Sequence, residues 1–307
     1  MGIQGDKYVS DYILKVNGVC KDYGSAHVLH DMSFVVPKGS IFGLVGRNGA
    51  GQTTIMRIIS GLQKPTKGTV EYGFDNKALG KVGALVELPS IYSNASARDN
   101  LIYQYINLGL KVDESVDKLL ELVGLADTGK KKAGKFSLGM RQRLGIAIAM
   151  AGNPDVLILD EPINGLDPQG IIQIRDLLIY LNKEKGVTVI ISSHILSELS
   201  LLATHYGFVD KGKIVKQISA QELHSQLRKC MIAQVSSIKA LTMVLEDMHT
   251  EYVVVDDSTV KIFDKMSVTL LSEKLSAQGC ELLSLTESDE SLESYFIDLI
   301  AGGAHND

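Results

Sequence analysis

From Gly43 to Thr54 the chain reads Gly-Leu-Val-Gly-Arg-Asn-Gly-Ala-Gly-Gln-Thr-Thr, and that spacing suits the holding of a phosphate chain. The stretch from Gly46 to Thr53 fits the pattern G-x-x-x-x-G-K-[ST] at every position except the lysine, where Gln52 stands. Glycines at 46, 49 and 51 remove the Cβ atoms that would keep the backbone from curling around an anion, so several N–H groups can point inward. The helix expected from Thr53 to Leu62 adds the positive end of its dipole. Thr53 offers a hydroxyl to Mg²⁺, while the ammonium that would sit between β- and γ-phosphates is missing. Farther along, Asp160-Glu161 ends an apolar run, Val156-Leu-Ile-Leu159. Two adjacent carboxylates at the end of a buried strand are costly unless they serve a cation or a water. Asp160 is placed to hold Mg²⁺ through its water shell, and Glu161 to orient or deprotonate an attacking water.

Other single residues gain meaning only from their surroundings. Ser137 caps the helix opened by Phe136-Ser-Leu-Gly-Met-Arg-Gln-Arg143, and with Gly139 and the free N–H groups of the first turn it can form a second anion site. His194 follows the buried run Val187–Ile191; on a strand parallel to that of Asp160 it shares the same edge and can reach a γ-phosphate. Tyr23 can lay its ring on a base, or merely pack; Asp167 can be an N-cap alone.

The elements that must position these groups alternate. Strands are expected over 13–21, 33–36, 41–45, 68–72, 81–86, 156–159 and 187–191, with helices over 53–62, 96–109, 114–123 and from Ser137. Apolar strands alternating with helices from 41 to 191 imply a parallel, doubly wound α/β sheet, in which ligands bind outside the carboxyl ends of the strands. The helical insert, about 88–150, carries no catalytic constellation of its own, so recognition of another protein is its natural task. Beyond position 216 the order becomes strand, helix, strand, strand, helix, strand and a last helix over 291–300, matching a small split βαβ layer. Two domains follow, 1–216 and 217–307, the second a stabilising or dimer-facing accessory unit.

Composition bounds the rest. The chain has 307 residues, 45% apolar and 22% charged, which is globular. Cys20, Cys230 and Cys280 are scattered without framework spacing, which argues against a disulfide or metal scaffold. No run approaches the roughly 18 apolar residues of a membrane span, so any membrane role is expected to come through a partner. Residues 217–307 hold 15 acidic and 6 basic side chains and residues 1–216 carry a net +4. A mildly basic first part suits a polyphosphate, and the acidic tail argues against a nucleic-acid surface there. The run Lys130-Lys131-Lys132 reads as a solvated loop.

Taken together, these motifs in this order resemble the ATPase subunit of an ABC transporter over about residues 12–216. The resemblance implies a P-loop NTPase fold with a RecA-like parallel core, an antiparallel β subdomain and a helical subdomain, here followed by a small α+β domain. It makes Gly46, Arg47, Asn48, Gly49, Ala50, Gly51, Gln52, Thr53 and Thr54 the Walker A loop and Leu157 to Glu161 the Walker B strand, so that Thr53 and Asp160 serve the Mg²⁺ of bound ATP. Ser137 to Met140 becomes the signature, Tyr23 the adenine-stacking aromatic, Glu87 the Q-loop position with access to Mg²⁺, Asn164 to Asp167 the D-loop and His194 the switch histidine. ATP would be sandwiched between two copies, so a lone subunit should be inactive. Finer features, Ala84-Leu-Val-Glu87-Leu-Pro, the wording Phe-Ser-Leu-Gly-Met-Arg-Gln-Arg-Leu and the C-terminal extension, are similar to the bacitracin- and lantibiotic-export branch. That likeness implies a separate permease docked on the insert near Glu87 and a cytoplasmic subunit peripheral on the inner membrane face.

Gln52 departs from the family pattern and implies either a slow natural ATPase or a variant made to trap the bound state. A regulatory subunit that never hydrolyses is the alternative. A ribosome-associated protein usually carries two cassettes, and only one is present. The 85 residues between Gly51 and Ser137 leave no room for the long coiled coil of DNA-repair relatives.

Overall fold

The computed structural model describes residues 12–74, 80–227, 229–264, 266–289 and 291–303. It divides into two compact units, Met1–Gln221 and Glu222–Asp307.

In the first unit a six-stranded sheet has the order β5-β6-β7-β3-β8-β9, built from β3 (Ile41–Gly46), β5 (Val82–Leu85), β6 (Val156–Asp160), β7 (Thr188–Ser192), β8 (His205–Asp210) and β9 (Lys213–Ser219). Five strands run parallel and β9 pairs antiparallel to β8 at the edge. Every residue of β3, β6 and β7 is buried, as an apolar strand covered on both faces must be. A second sheet, order β2-β1-β4, is antiparallel throughout and comprises β1 (Tyr12–Tyr23), β2 (Ala26–Pro37) and β4 (Lys67–Tyr72). Helix α1 (Gln52–Ile59) leaves the end of β3 and buries Ile55, Met56, Ile58 and Ile59 in the core shared with β1 and β2.

The insert holds α2 (Ala97–Asn107), α3 (Ser115–Leu122) and α4 (Leu138–Met150). Each of the longer helices starts where a side chain satisfies its free N–H groups. Ser96 and Asp99 form a capping box on α2, and Ser137 accepts from the N–H of Met140 on α4. Asp167 caps α5 (Pro168–Lys185), which has proline in its first turn and ends at Gly186 with φ 68°. A short α6 (Leu196–Ser200) follows β7.

The expected boundary at 216 falls inside β9, whose pairing with β8 keeps residues 213–219 in the first unit. The division comes instead within α7 (Ala220–Gln226). The second unit is a four-stranded antiparallel sheet of order β11-β12-β10-β13, from β10 (Lys229–Val235), β11 (Tyr252–Val254), β12 (Thr259–Ile262) and β13 (Leu282–Asp289). Helices α8 (Ile238–Asp247) and α9 (Val268–Ala277) bury Leu241, Val244, Leu245, Leu271 and Leu275 against Met231, Ala233, Val260 and Ile262, and α10 (Leu292–Gly303) closes the chain.

Contact between α4 and β5 leaves no room for a side chain at Gly83, where a Cβ would lie 2.2 Å from the carbonyl oxygen of Ala149. Gly83→Ala is therefore expected to lower stability by about 3 kcal/mol, the upper end for an overpacked site, read as a reduced urea midpoint.

Candidate functional site

The loop between β3 and α1 curls as its glycines allow: Gly49 has φ 82°, Gly51 has φ 103°, and the N–H of Ala50 donates to the carbonyl of Arg47 at 2.9 Å. Its position is fixed from below. A Cβ on Gly51 would lie 2.6 Å from Cδ2 of Leu29 in β2, and the carbonyl of Ala50 accepts from Gly212 N–H at 3.0 Å in the turn between β8 and β9. Arg47, Asn48 and Gly49 are exposed at the rim, whereas Ala50 is buried.

Strand register brings the acids to this loop. In the parallel pairing, Ser192 of β7 lies opposite Asp160 of β6 on one side and Leu44 of β3 on the other. A cavity of about 230 Å³ opens there, lined by Asn48, Gly49, Gly51, Gln52, Thr53 and Thr54 from the loop and by Asp160 and Glu161. Asp160 is 3% exposed, and the Ser192 hydroxyl donates to its Oδ1 at 2.6 Å. Glu161 takes φ 50°, its N–H donating to Ser192 Oγ at 3.0 Å. From that turn its Oε2 accepts from Nδ1 of His194 at 2.7 Å. The imidazole is thus held through Glu161 at the edge expected from the parallel strands.

The side chain of Gln52 folds back. Its Nε2 donates to the carbonyl of Leu44 at 2.9 Å, and its Cδ lies 3.1 Å from where a Cβ on Gly46 would be. The amide sits against β3 within the cradle wall.

Five residues assigned to the nucleotide, Ser137, Gly139, Asp167, Glu87 and Tyr23, do not line this cavity. Ser137, Gly139 and Asp167 line a separate cavity of about 380 Å³ with Arg143 and Gly165. Glu87, at φ 64°, accepts a hydrogen bond from Arg57 Nη2 of α1 and does not line the cradle. That bond pushes the Arg57 guanidinium above its ordinary value. Tyr23 stands at the end of β1, 41% exposed; its hydroxyl donates to Gln63 Oε1 at 2.6 Å, and Lys21 Nζ lies 5.2 Å from the ring centre.

The residues present suit a magnesium ion that carries phosphate oxygens and water: a buried carboxylate, threonine hydroxyls and a second carboxylate share one cavity. Among the described residues no group of three His, Cys, Asp or Glu could hold a metal unaided. Nor is any helix among them long and apolar enough to cross a membrane.

Sequence reasoning passed over Ser192 and Arg57. The first was detectable in principle, because setting the runs 156–160 and 188–192 side by side in parallel places Ser192 beside Asp160. Arg57 carried no signal, its partner lying 30 residues away across the fold.

Comparison with known proteins places these features among relatives. A family profile described as ABC transporter matches residues 29–164. The chain is 41% identical over 301 residues to the Bacitracin transport ATP-binding protein BcrA of Bacillus licheniformis, covering 95% of this chain and 98% of that one. It is 42% identical to the Lantibiotic transport ATP-binding protein SrtF of Streptococcus pyogenes over 206 residues, 66% of this chain and 89% of that one. Among solved structures, cbiO1 from Clostridium perfringens, part of the ABC transporter complex cbiONQ, superposes with a TM-score of 0.61 at 28% identity, covering 70% of this chain and 92% of that one.

Ser137 acts first as a cap whatever else it does. Ser137→Ala is expected to cost about 1 kcal/mol of stability and Ser137→Asp almost none, measured by denaturant unfolding.

Proposed function

This chain belongs to the ABC transporter family, and from that premise we propose that it is the ATP-binding subunit driving export of bacitracin, a lantibiotic or a similar peptide antibiotic through a separate membrane permease. Its activity is that of the family, ATP hydrolysis coupled to transport. The single observation that carries the reading at this site is the convergence of the curled loop, Asp160, Glu161 and His194 at one sheet edge.

In the mechanism we propose, backbone N–H groups of the loop and the first turn of α1 hold the β- and γ-phosphates. Thr53 and Asp160 would hold Mg²⁺, which would supply positive charge to offset that of the phosphates. Glu161 accepts a proton from the attacking water, and His194, fixed by its bond to Glu161, faces the γ-phosphate. Tyr23 offers an exposed ring to the adenine. Ser137, Gly139 and Asp167 line their own cavity, and they would complete the site of a second copy. Two chains then enclose two nucleotides. With Glu87 engaged by Arg57, its carboxylate reaches magnesium only after that ion pair opens.

Gln52 sets the rate. An amide tied to the Leu44 carbonyl supplies no charge to the transferring phosphoryl group, which we propose makes this subunit a slow ATPase that still binds nucleotide. The same residue favours a second reading, a regulatory subunit working by ATP binding alone. Assembled with its permease, the Gln52→Lys variant is expected to turn over ATP about a hundredfold faster than the unaltered chain. Equal turnover would show the cation at 52 to be dispensable. Glu161→Gln in the Gln52→Lys chain should remove turnover and keep nucleotide binding; loss of both would overturn the assigned roles.

The loop after Glu87 supplies a docking face. Its backbone is tied to α2, the Tyr92 N–H donating to Asn100 Oδ1 at 2.7 Å. Leu88 is 77% exposed and Ile106 60%, while Tyr92 and Tyr103 meet edge to face with ring centres 5.2 Å apart. Apolar side chains held out on a rigid frame suit a protein partner, and we assign them to the permease. Ile106→Asp and Leu88→Asp are expected to abolish co-purification with the permease while leaving the melting temperature of the isolated chain unchanged.

A further inference from the structure

We infer that Ser192 is a positioning residue for hydrolysis, fastening the carboxylate of Asp160 and the backbone of Glu161 into one unit. The inference rests on the ATPase reading of the site and adds to it a residue outside the Walker, signature and switch motifs.

Ser192 is the last residue of β7 and is 1% exposed. Its hydroxyl donates to Asp160 Oδ1 at 2.6 Å and accepts from the Glu161 N–H at 3.0 Å. The same N–H approaches the Ser192 carbonyl at 3.3 Å. One small side chain thus uses its proton on one acidic residue and a lone pair on the next. No alanine, valine or other apolar residue can do both.

Each bond answers a separate need. A carboxylate as buried as Asp160 requires a donor, and a donor at one oxygen fixes the rotation of the whole group, so the carboxylate meets the cavity in one orientation. Glu161 has a different need. At φ 50° it occupies the left-handed region, which a residue with a Cβ holds only where its surroundings over-determine it. Its N–H, pinned on Ser192, supplies that determination, and the carbonyl of Glu161 accepts from Asn164 N–H at 3.2 Å to complete the turn. From this backbone position the Glu161 carboxylate meets His194, which is only two residues beyond Ser192. The chain of contacts runs Asp160, Ser192, Glu161, His194, and the serine is the member that touches both acids.

A serine that merely filled the strand end would affect folding alone. A positioning serine affects what magnesium adds to nucleotide binding and what Glu161 adds to turnover, and it leaves the loop's own grip on phosphate intact. The test uses the full chain carrying Gln52→Lys, with MANT-ATP binding followed in magnesium and in EDTA and melting temperature measured beside it, and with turnover measured after assembly with the permease. Ser192→Ala is expected to raise the magnesium concentration for half-maximal binding about 10- to 100-fold and to lower kcat by a similar factor, the range typical of lost partners behind a metal ligand. Binding in EDTA and KM for ATP should stay within about threefold, because the backbone of residues 46–54 supplies them. Ser192→Thr, which keeps the hydroxyl on a residue type at home in strands, is expected to recover both quantities. An Ala variant with unchanged magnesium midpoint and kcat overturns the inference. So does an Ala variant that weakens binding as much in EDTA as in magnesium, or a Thr variant that melts normally without recovery. If the Gln52→Lys parent binds no MANT-ATP at all, the ATPase reading itself falls and this inference with it.

Discussion

One row of three residues across the central strands governs this molecule: Leu44, Ser192 and Asp160 stand side by side in β3, β7 and β6. Parallel pairing fixes that row, because slipping a strand by one residue would exchange the side chains packed on its two buried faces and break the fit of both. Everything chemical hangs from the row. Leu44 gives its carbonyl to Gln52, Ser192 gives its proton to Asp160, and two residues past the row the loop begins to curl at Gly46. The sheet therefore sets the spacing between the glycine-rich loop and the acids.

Much of this was legible in residue order. Glycine spacing announced the loop, short apolar runs ending in acids or serine announced the buried strands, and Ser137 and Asp167 each cap the helix that their type and position imply. The order of elements in the C-terminal unit was readable too, because amphipathic helices there alternate with short strands around a single core. What stayed hidden depended on long-range geometry. The edge strand β9 alternates exposed and half-buried residues, so its pairing with β8 carried it past the expected boundary at 216. Glu87 looked free for a metal, and only the folded chain brings Arg57 of α1 against it. Tyr23 likewise bonds to Gln63, 40 residues on, through a turn that local pattern does not encode.

Gln52 has a partner of its own inside the site. An amide is nearly as long as the start of a lysine side chain but carries a donor at a fixed distance, and the Leu44 carbonyl lies where that donor ends. With Gln52 in place the loop is curled, Asp160 has Ser192 as its partner and Glu161 has His194. Geometry and charge are thus separable at this site, because backbone amides shape the cradle while its positive charge would have come from one side chain alone.

The close approach of Leu29 to Gly51 makes two distant parts of the chain limit one another. Because Cδ2 of Leu29 occupies the space where any larger residue at 51 would put its first carbon, neither side chain can grow without displacing the other. A larger residue at 29 would press on the loop from beneath, and at φ 103° any replacement of Gly51 is strained even beside a smaller residue in β2. The antiparallel sheet, which lends no residue to the cavity beside Asp160 and Glu161, thereby still limits the shape of the loop that lines it.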